Sequence, residues 1–501
     1  MAASSPALHA RGAARERMGP AWALLPIAIV LVARLVGPDD LDSNDQAKQC
    51  LYVLDVWEEG RWVLPMERGN IPATKPPLFT WLAVGASALF GGPAELPCRL
   101  PSVVASLAVA ALIYAIGRER WSPAVGVAAA CIFATSHTAA RLAVHVRPDM
   151  VLTALTTAAL LALHRLDLGR SRGMALLFWA SASLSILAKG PPGPLVILAA
   201  LACLSFSRER RPWILALLRS PWILLLLAPL AWFVLAMTEG GKEYLLGTVW
   251  SQTFERALAT GSRSGKGQLP GQIFALFASR FAPWSIVAIA AGLALISRRS
   301  AREERARFAL LCAWTFGGLA AFALSRGQRE DYLLPMIPAA SLLVAGALDR
   351  PPGPVFSRVW RYGIGAPFFA AAGCVGVLLL SYFALLSPDA RAAGDEGIRE
   401  LAGIANAERR PGDELRMYGA VANGIRFYTR SNRPSSTREE LASLLDALPP
   451  GKDLLVIADR DSTEQLKPLG PHGLEVIASC PHRKKGLVLL RGRHAETSGA
   501  R

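Results

Sequence analysis

The run ILLLLAPLAWFVLAM at residues 223–237 decides the fold class, because it contains no charged side chain. A run of this length and polarity approaches what is needed to cross a hydrocarbon core of roughly 30 Å. Runs of similar apolar character lie at 21–36, 103–116 and 368–386. Several such runs in one chain predict a membrane protein that crosses the bilayer many times.

The composition agrees with a membrane protein and disfavours a soluble one. Of the 501 residues, 52% are hydrophobic and only 18% are charged. The net charge of +16 would also suit a nucleic-acid-binding protein, but the arginines cluster in short loops between apolar runs. This clustering is typical of the cytoplasmic loops of membrane proteins. No small-residue cleavage site follows the first run, so we interpret it as a retained helix instead of a signal peptide.

The apolar runs predict a mainly α, polytopic membrane protein with about eleven transmembrane helices. The predicted spans are 20–37, 99–117, 123–140, 149–164, 174–188, 193–207, 221–237, 273–296, 307–325, 332–348 and 361–386. Every second loop is short and rich in arginine, which places those loops and the N-terminus in the cytoplasm. We therefore expect a multi-pass protein of a bacterial inner membrane, with the other loops on the extracytoplasmic side.

The predicted topology divides the chain into three parts. Residues 1–19 form a cytoplasmic tail, 20–386 the membrane domain with a long outer loop at 38–98, and 387–501 an extracytoplasmic domain. Four short apolar runs of the last part predict strands, at 417–418, 454–458, 474–478 and 487–490. Segments 396–409 and 437–448 are predicted helices, the second capped by Ser436 or Thr437 before Glu440. The tail is therefore a small α/β domain.

An aspartate opens the outer loop. Ser43 and Gln46 have the spacing of a capping box, which predicts a helix starting here and ending at Gly60. Apolar residues recur along it at helical spacing, so we expect an amphipathic helix on the membrane surface. Asp45 then lies in the first turn. It is either a functional carboxylate at the membrane boundary or a residue that merely favours the helix N-terminus.

A rigid lysine follows in the same loop. Pro76 and Pro77 exclude a helix before Leu78, so Lys75 is presented from an extended turn. A lysine in this position can bind a lipid phosphate as a point charge. The alternative is an interfacial lysine beside the aromatic anchor Trp81.

Further ionisable groups fall on the same predicted side. Asp149 begins a span next to Arg147, and such a pair is costly enough in a membrane to suggest function or mutual pairing. Lys189 precedes a Gly-Pro-Pro-Gly break, and irregular backbone at that depth is tolerated where it lines a cavity. Arg256 lies in the second long outer loop, and Tyr332 enters another span. Their convergence on one side predicts a site there.

The ordered set of these motifs resembles a known family. The motifs are the acidic start of the outer loop, Gly60-x-Trp62-x-x-Pro65, 75–78, 99–102, 147–150, 188–190 and 332–335. Together they resemble the membrane glycosyltransferases related to aminoarabinose transferase and protein O-mannosyltransferases. The resemblance covers roughly residues 20–350 and implies the C-type glycosyltransferase fold, with a sugar donor carried on polyprenyl phosphate.

The resemblance also implies roles for particular residues. Asp45 matches the catalytic aspartate. Lys75, Arg256 and Tyr332 match positions that hold the donor phosphate, and Asp149 matches a second acidic residue of the cavity. Lys189, in the matching Ala-Lys-Gly motif, is taken as a further substrate-binding residue.

The chain departs from the aminoarabinose transferases at three positions. Gln46 replaces the glutamate after the catalytic aspartate, Thr74 replaces a glutamate before the lysine, and Gln268 stands where a histidine is expected. These side chains are the family's expected metal ligands, so we predict no bound metal and no cofactor. The lipid-linked sugar is a substrate, and the predicted partners are this donor, a lipid, glycan or protein acceptor, and membrane lipids, without nucleic acid.

The implied reaction is transfer of the sugar on the outer face, with inversion at C1. Lys75 and Arg256 would stabilise the leaving phosphate. Asp45 would act as general base for an acceptor hydroxyl, or would stabilise positive charge on the sugar ring if the acceptor is itself a phosphate. The alternative is a transporter or lipid flippase, whose site is more typically at the bilayer midplane. A receptor would leave Asp45 and Lys75 unexplained.

Overall fold

The computed structural model divides the chain into two compact units. Unit 1 comprises residues 1–36, 74–82 and 99–385, and unit 2 comprises 37–73, 83–98 and 386–501. The structure describes residues 19–36, 41, 44–170, 172–246, 250, 271–296, 302–325, 328–349, 396–466, 474–481 and 486–493. Most of the outer loop thus groups with the C-terminal tail, while the domain boundaries expected from the sequence stay a prediction.

The first part of the chain is almost entirely helical. Its helices are α1 Pro20–Val36, α2 Asn44–Glu59, α3 Leu78–Leu89, α4 Glu95–Arg120, α5 Pro123–Thr135, α6 His137–Leu142, α7 Asp149–Asp167, α8 Met174–Lys189, α9 Pro192–Ser205, α10 Arg211–Leu218, α11 Leu227–Tyr244, α12 Gln272–Arg280, α13 Trp284–Ile296, α14 Arg302–Cys312, α15 Gly318–Ala323 and α16 Ile337–Asp349. Short 3₁₀ segments at Pro221–Leu226 and Glu330–Met336 precede α11 and α16, and a π segment at Ala313–Gly317 joins α14 to α15.

The predicted spans agree with these helices. Five helical segments are long and apolar enough to cross a membrane, at Glu95–Arg120, Asp149–Asp167, Pro221–Lys242, Arg302–Ala323 and Glu330–Asp349. Shorter apolar helices occupy five other predicted spans. The apolar helix α3 was not among the expected spans, and the expected span at 361–386 lies outside the described residues. The polytopic, mainly helical architecture is confirmed.

Helix α16 lies at the centre of unit 1. It belongs to a segment whose apolar window is 94% buried, and it packs against α5 and α13. Glycines permit close contact nearby, because a Cβ built on Gly117 of α4 would lie 2.6 Å from the Gly126 Cα of α5. Small residues at such crossings are typical of packing between membrane helices.

The segment Pro221–Lys242 shows the opposite pattern. Only 11% of its apolar window is buried, although its mean hydropathy is 2.0. Its side chains Leu224, Leu227 and Leu230 are each more than half exposed. A surface this apolar is stable against lipid but not against water. This helix is therefore a lipid-facing span.

Unit 2 contains a hairpin, β1 Met66–Glu67 and β2 Ile71–Pro72, and a four-stranded sheet. The sheet consists of β3 Glu414–Tyr418, β4 Asp453–Asp459, β5 Glu475–Cys480 and β6 Leu487–Arg493, in the order β3-β4-β6-β5. Strands β3 and β4 pair parallel, and β6 pairs antiparallel with both β4 and β5. The helices are α17 Glu396–Glu408, α18 Asn423–Tyr428, α19 Arg438–Asp446 and α20 Arg460–Leu466. This small α/β domain matches the expected strands and helices, including the capping box of Thr437 and Glu440.

Helix α2 is present as expected, but its surroundings differ. Ala47, Cys50, Leu51 and Leu54 are at most 1% exposed, and the helix packs against α18 of the same unit. The periodic apolar face is thus covered by protein, so the expectation of an amphipathic helix lying on the membrane surface is wrong for this face. The sequence could not reveal this, because a lipid-facing stripe and a protein-facing stripe have the same periodicity.

A buried arginine orders one segment of unit 2. Arg426 of α18 has no exposed surface and donates to the Arg433 carbonyl at 2.6 Å and to the Ser435 hydroxyl at 2.7 Å. Burial lowers the pKa of Arg426 to about 10, the nearby Arg68 charge adds to this effect, and Glu67 opposes it. Arg426 therefore fixes the path of residues 433–435.

Replacing this arginine by an apolar residue of similar length should destabilise unit 2. Arg426→Met leaves the Arg433 carbonyl without its donor, and we expect a loss of about 2 kcal/mol, as for a buried hydrogen bond to a charged group. Thermal unfolding of the detergent-solubilised protein measures it. The exposed Arg460→Met variant is the control, and an unfolding midpoint equal to wild type for Arg426→Met would contradict this role.

Candidate active site

Lys75 lies on the bend that leads into α3. The helix begins at Leu78, directly after the two prolines, which confirms the expected start. The Lys75 side chain is half-buried, and its charge acts on the carboxylate of Asp149 within unit 1. The proline-fixed turn therefore holds a cation near a buried carboxylate.

Asp149 is the first residue of α7 and is 1% exposed. The loop before it is fixed by α4, because the Ser102 hydroxyl donates to the carbonyl of His145 at 2.6 Å. Proline at position 148 ends the loop and starts the helix, since its fixed φ suits a first turn. Asp149 is thus held at one position on a rigid backbone.

Lys189 pairs with this carboxylate. It is the last residue of α8, and Gly190 after it adopts φ +80°, which a glycine accommodates without strain. The Lys189 ammonium donates to the Asp149 carboxylate, and its side chain is 9% exposed. The Gly-Pro-Pro-Gly break therefore ends α8 at the point where its lysine meets the start of α7.

The Asp149–Lys189 pair is one end of a longer series of charges, which we call the ion-pair chain. It alternates in sign through Lys189, Asp149, Arg147, Asp331, Arg141, Glu330 and Arg280. Arg147 Nη2 lies 2.8 Å from Asp331 Oδ2, and Arg141 Nη2 lies 2.9 Å from Glu330 Oε1. Asp331 and Arg147 are 3% and 7% exposed. Buried charges persist only when paired, so this chain fixes its helices in register.

Tyr332 completes the cluster. The Lys189 ammonium lies 5.2 Å from the centre of the Tyr332 ring, within the range of a cation–π contact. The same ring stacks on Phe322 of α15, with the ring centres 5.3 Å apart. The Tyr332 ring therefore lies between the Lys189 ammonium and Phe322.

This arrangement can bind an anion. Lys189 and Arg147 pair with Asp149, and the charge of Lys75 also acts on this carboxylate. Ammonium and guanidinium groups form short, strong hydrogen bonds to phosphate oxygens. A phosphate near Asp149 would thus find cations already placed, without reorganisation of the protein.

Asp45 belongs to unit 2. It lies half-buried in the first turn of α2, as the sequence predicts. Three residues further along, Lys48 pairs with Glu67 of the hairpin at 2.8 Å. Burial alone would lower the pKa of Lys48, but Tyr52 and Glu67 raise it above its ordinary value. This pair ties the N-terminal part of α2 to the hairpin.

The other end of α2 is fixed by Asp55, which is 1% exposed. It accepts from Arg61 at 2.7 Å, from the Met66 N–H at 2.8 Å and from the Asn432 amide at 3.2 Å. Burial raises the pKa of Asp55, while the Met66 N–H and Arg61 act against that rise. Asn432 of the tail thus helps to hold the helix that carries Asp45.

The structure brings together four of the six expected site residues. Lys75, Asp149, Lys189 and Tyr332 share one region of unit 1, and Asp45 lies in unit 2. Arg256 and Gln268 lie outside the described residues. Sequence reasoning missed Arg141 and Asp331 as members of the cluster. A usable signal existed, since ionisable residues next to apolar spans are rare and mark functional or paired positions.

No group of three metal-ligating side chains occurs among the described residues. The segment 251–270, where the family's histidine is expected, lies outside the described residues. The absence of metal and cofactor stays a prediction from the sequence.

Known membrane proteins resemble this chain in sequence and in fold. The family described as dolichyl-phosphate-mannose-protein mannosyltransferase matches residues 74–237. The fold matches that of the archaeal oligosaccharyltransferase AglB from Archaeoglobus fulgidus, solved with an inhibitory peptide and a dolichol-phosphate. That match has a TM-score of 0.53 and 13% identity over 88% of this chain and 70% of AglB. The resemblance to polyprenyl-phosphate-sugar-dependent membrane glycosyltransferases is therefore confirmed, with the C-type fold.

The fold also matches that of ArnT from Cupriavidus metallidurans, solved bound to undecaprenyl phosphate. The TM-score is 0.74 and the identity 18%, over 94% of this chain and 98% of ArnT. A relative in Pseudomonas aeruginosa, an undecaprenyl phosphate-alpha-4-amino-4-deoxy-L-arabinose arabinosyl transferase, is 30% identical over 305 residues. That alignment takes in 58% of this chain and spans about half, 52%, of the relative.

Proposed function

We propose that this protein is a glycosyltransferase that moves a sugar from a polyprenyl-phosphate donor to a lipid, glycan or protein acceptor. The reaction takes place on the outer face of a bacterial inner membrane and inverts the configuration at C1. The observation that carries the proposal is the cluster of the buried Asp149 and Arg147 and the largely buried Lys189 with the half-buried Tyr332 and Lys75. The undecaprenyl phosphate and dolichol-phosphate named for the two solved relatives support a donor of this kind.

The cations act on the leaving group. As the bond between C1 and the phosphate oxygen breaks, its electron pair stays on the phosphate, whose negative charge grows. Lys75 and Arg256 stabilise that charge, and the low dielectric around the cluster strengthens the interaction. Lys189 is the third cation, and its contacts with Asp149 and Tyr332 already hold its side chain in position. A lipid-linked phosphate is a ready leaving group, so the step uses no nucleotide.

Asp45 acts on the acceptor. The acceptor oxygen forms the new bond to C1 from the face opposite the departing phosphate, and its proton passes to the Asp45 carboxylate. If the acceptor is a phosphate, it carries no proton to remove, and Asp45 instead stabilises positive charge on the ring. A general base in this role typically raises the rate of transfer 10²- to 10⁴-fold. The dependence of the transfer rate on pH therefore differs between the two roles of Asp45.

Transfer from radiolabelled polyprenyl-phosphate sugars to a membrane extract tests the proposal. The expected result is a labelled product whose mass identifies the acceptor. If folded protein moves no label from any donor, the enzyme assignment fails. Movement of the intact donor across a vesicle bilayer, without transfer, would instead establish the flippase.

Lys75→Ala should weaken donor binding. Loss of one charged hydrogen bond to phosphate typically removes about 1.5–3 kcal/mol, so we expect roughly tenfold or greater loss of affinity for a polyprenyl phosphate. Titration of the detergent-solubilised protein with polyprenyl phosphate measures it. Lys452→Ala is the matched control, because that lysine lies in unit 2 and donates to the Pro411 carbonyl. Equal donor affinity for Lys75→Ala and wild type would remove Lys75 from the phosphate site.

A further inference from the structure

A tyrosine of the tail joins the two ends of the outer loop. Tyr428 is the last residue of α18, and its hydroxyl accepts a hydrogen bond from the Leu41 N–H at 3.3 Å. The same hydroxyl donates to the carboxylate of Glu95. Leu41 lies near the start of the outer loop, shortly before Asp45, and Glu95 lies near its end, as the first residue of α4. All four residues belong to unit 2, so one side chain connects both ends of the loop within a single compact unit.

The surroundings of this hydroxyl keep it protonated. Tyr428 is half-buried, and its burial raises the pKa of the phenol above its ordinary value. Glu95 adds to the rise in pKa, while the Leu41 N–H and Arg399 oppose it. A protonated phenol donates through its hydrogen and accepts through its oxygen. Both hydrogen bonds of Tyr428 can therefore exist at the same time.

The backbone of α18 also approaches the start of the outer loop. Gly424 permits this approach, because a Cβ built on Gly424 would lie only 3.3 Å from the carbonyl oxygen of Leu41. Leu41 itself is 2% exposed. The chain that leads into α2 is thus held by packing against the tail as well as by the Tyr428 hydroxyl.

Two asparagines of the tail hold the hairpin that follows α2. Asn432 donates to the Met66 carbonyl at 3.0 Å and accepts from the Arg68 N–H at 2.6 Å. Asn423 is 2% exposed and donates to the carboxylate of Glu67 at 2.7 Å. The tail therefore binds the outer loop both before and after the helix that carries the proposed catalytic aspartate.

We propose that Tyr428 is a positioning residue for sugar transfer, which acts through the outer loop on Asp45. Its two hydrogen bonds fix the chain before α2, and the tail asparagines fix the hairpin after it. This role rests on the proposed function, in which Asp45 acts on the acceptor. A misplacement of about 1 Å can lower the rate of a reaction roughly 100-fold. The tail then contributes to the transfer rate by setting the position of Asp45.

Tyr428→Phe tests this role, because phenylalanine keeps the ring and removes the hydroxyl. Three properties of the full-length, detergent-solubilised protein are measured: amide hydrogen exchange of the Leu41 N–H and of α2, affinity for polyprenyl phosphate, and the rate constant of single-turnover transfer. We expect faster exchange, wild-type donor affinity and a rate constant that is roughly tenfold lower. Loss of folded protein would lower the amplitude of a single turnover but not its rate constant, so a purely structural role predicts an unchanged rate constant.

Tyr418→Phe is the matched control. Tyr418 is also a half-buried tyrosine of unit 2, but its hydroxyl donates to Gln465 of the tail, at 3.1 Å. The substitution therefore removes the same atom from the same unit without removing a bond to the outer loop. All three measurements should equal those of wild type.

A pair of substitutions at the other contact gives an independent test. Asn432→Asp places a carboxylate against the carboxylate of Asp55, to which the Asn432 amide donates at 3.2 Å. Like charges at this distance repel each other, so we expect faster exchange in α2 and slower transfer, as for Tyr428→Phe. Adding Asp55→Asn places an amide opposite a carboxylate again, and the rate constant should rise towards that of wild type.

The outcomes separate this proposal from the proposed function. Wild-type exchange in Tyr428→Phe overturns the proposal, and so does faster exchange with a wild-type rate constant. Slower transfer that is explained by weaker donor binding also overturns it, because Asp45 acts on the acceptor. If wild type transfers no sugar, the proposed function is rejected, and hydrogen exchange alone then decides whether Tyr428 holds the outer loop.

Discussion

Asp45→Asn should abolish most sugar transfer while donor binding persists. The asparagine keeps the size of the side chain and its place in the first turn of α2, but it can neither accept a proton nor carry negative charge. A positioned general base contributes typically 10² to 10⁴ in rate, so we expect kcat to fall by about that factor. Single-turnover transfer from a radiolabelled donor measures it, with donor affinity determined in parallel.

The controls separate chemistry from folding. Asp446→Asn, at the exposed end of α19, should transfer at the wild-type rate and unfold at the wild-type temperature. Full turnover by Asp45→Asn would show that Asp45 only favours the start of α2. The pH dependence of turnover distinguishes the two acceptors. If turnover follows the ionisation of the acceptor and not that of an enzyme carboxylate, the acceptor is a phosphate.

Asp149→Asn should be the most destabilising of the site variants. It leaves Lys189 and Arg147 without the carboxylate that both contact, in a place where Asp149 is 1% exposed. Removing one partner of a buried ion pair typically costs 3–5 kcal/mol. We therefore expect a large fall in the thermal midpoint of the detergent-solubilised protein, together with weaker binding of polyprenyl phosphate.

A second substitution separates the contribution of the Asp149–Lys189 pair to stability from its contribution to donor binding. Asp149→Asn with Lys189→Met removes both charges of the pair, so much of the lost stability should return. Donor binding should stay weak, because one cation of the phosphate site is then missing. Recovery of both properties would show that the pair is purely structural, and wild-type stability of the single variant would contradict the burial argument.

The sequence predicted most of the helical architecture, because the positions of these helices depend on local features of the sequence. Apolar runs, the Pro-Pro start of α3 and the Gly-Pro-Pro-Gly break after Lys189 each act within a few residues, so pattern alone located them. The capping box of Thr437 and Glu440 was found for the same reason. Helix α3 was missed as an apolar element because it is only 12 residues long, below what a span requires.

The site was predictable in part. Asp149, Lys189 and Tyr332 are far apart in sequence, and motif order, with their shared predicted side, suggested that they meet. Arg141 was missed because the sequence does not show with which carboxylates an arginine beside an apolar span will pair. Its contacts with Asp331 and Glu330 depend on tertiary packing across nearly 190 positions of sequence. For the same reason, the covering of α2 by α18 could not be inferred from the periodicity of α2.

The ion-pair chain also limits how this sequence can change over generations. Each of its inner members contacts two opposite charges, so replacing any one leaves each neighbour with one partner fewer and changes the net charge of the chain. A lineage that loses Asp331 would leave two arginines with one carboxylate each, and a later change at Arg141 or Arg147 would restore the charge balance. Substitutions along the chain should thus be inherited in compensating pairs, and the helices that it joins should drift as a group.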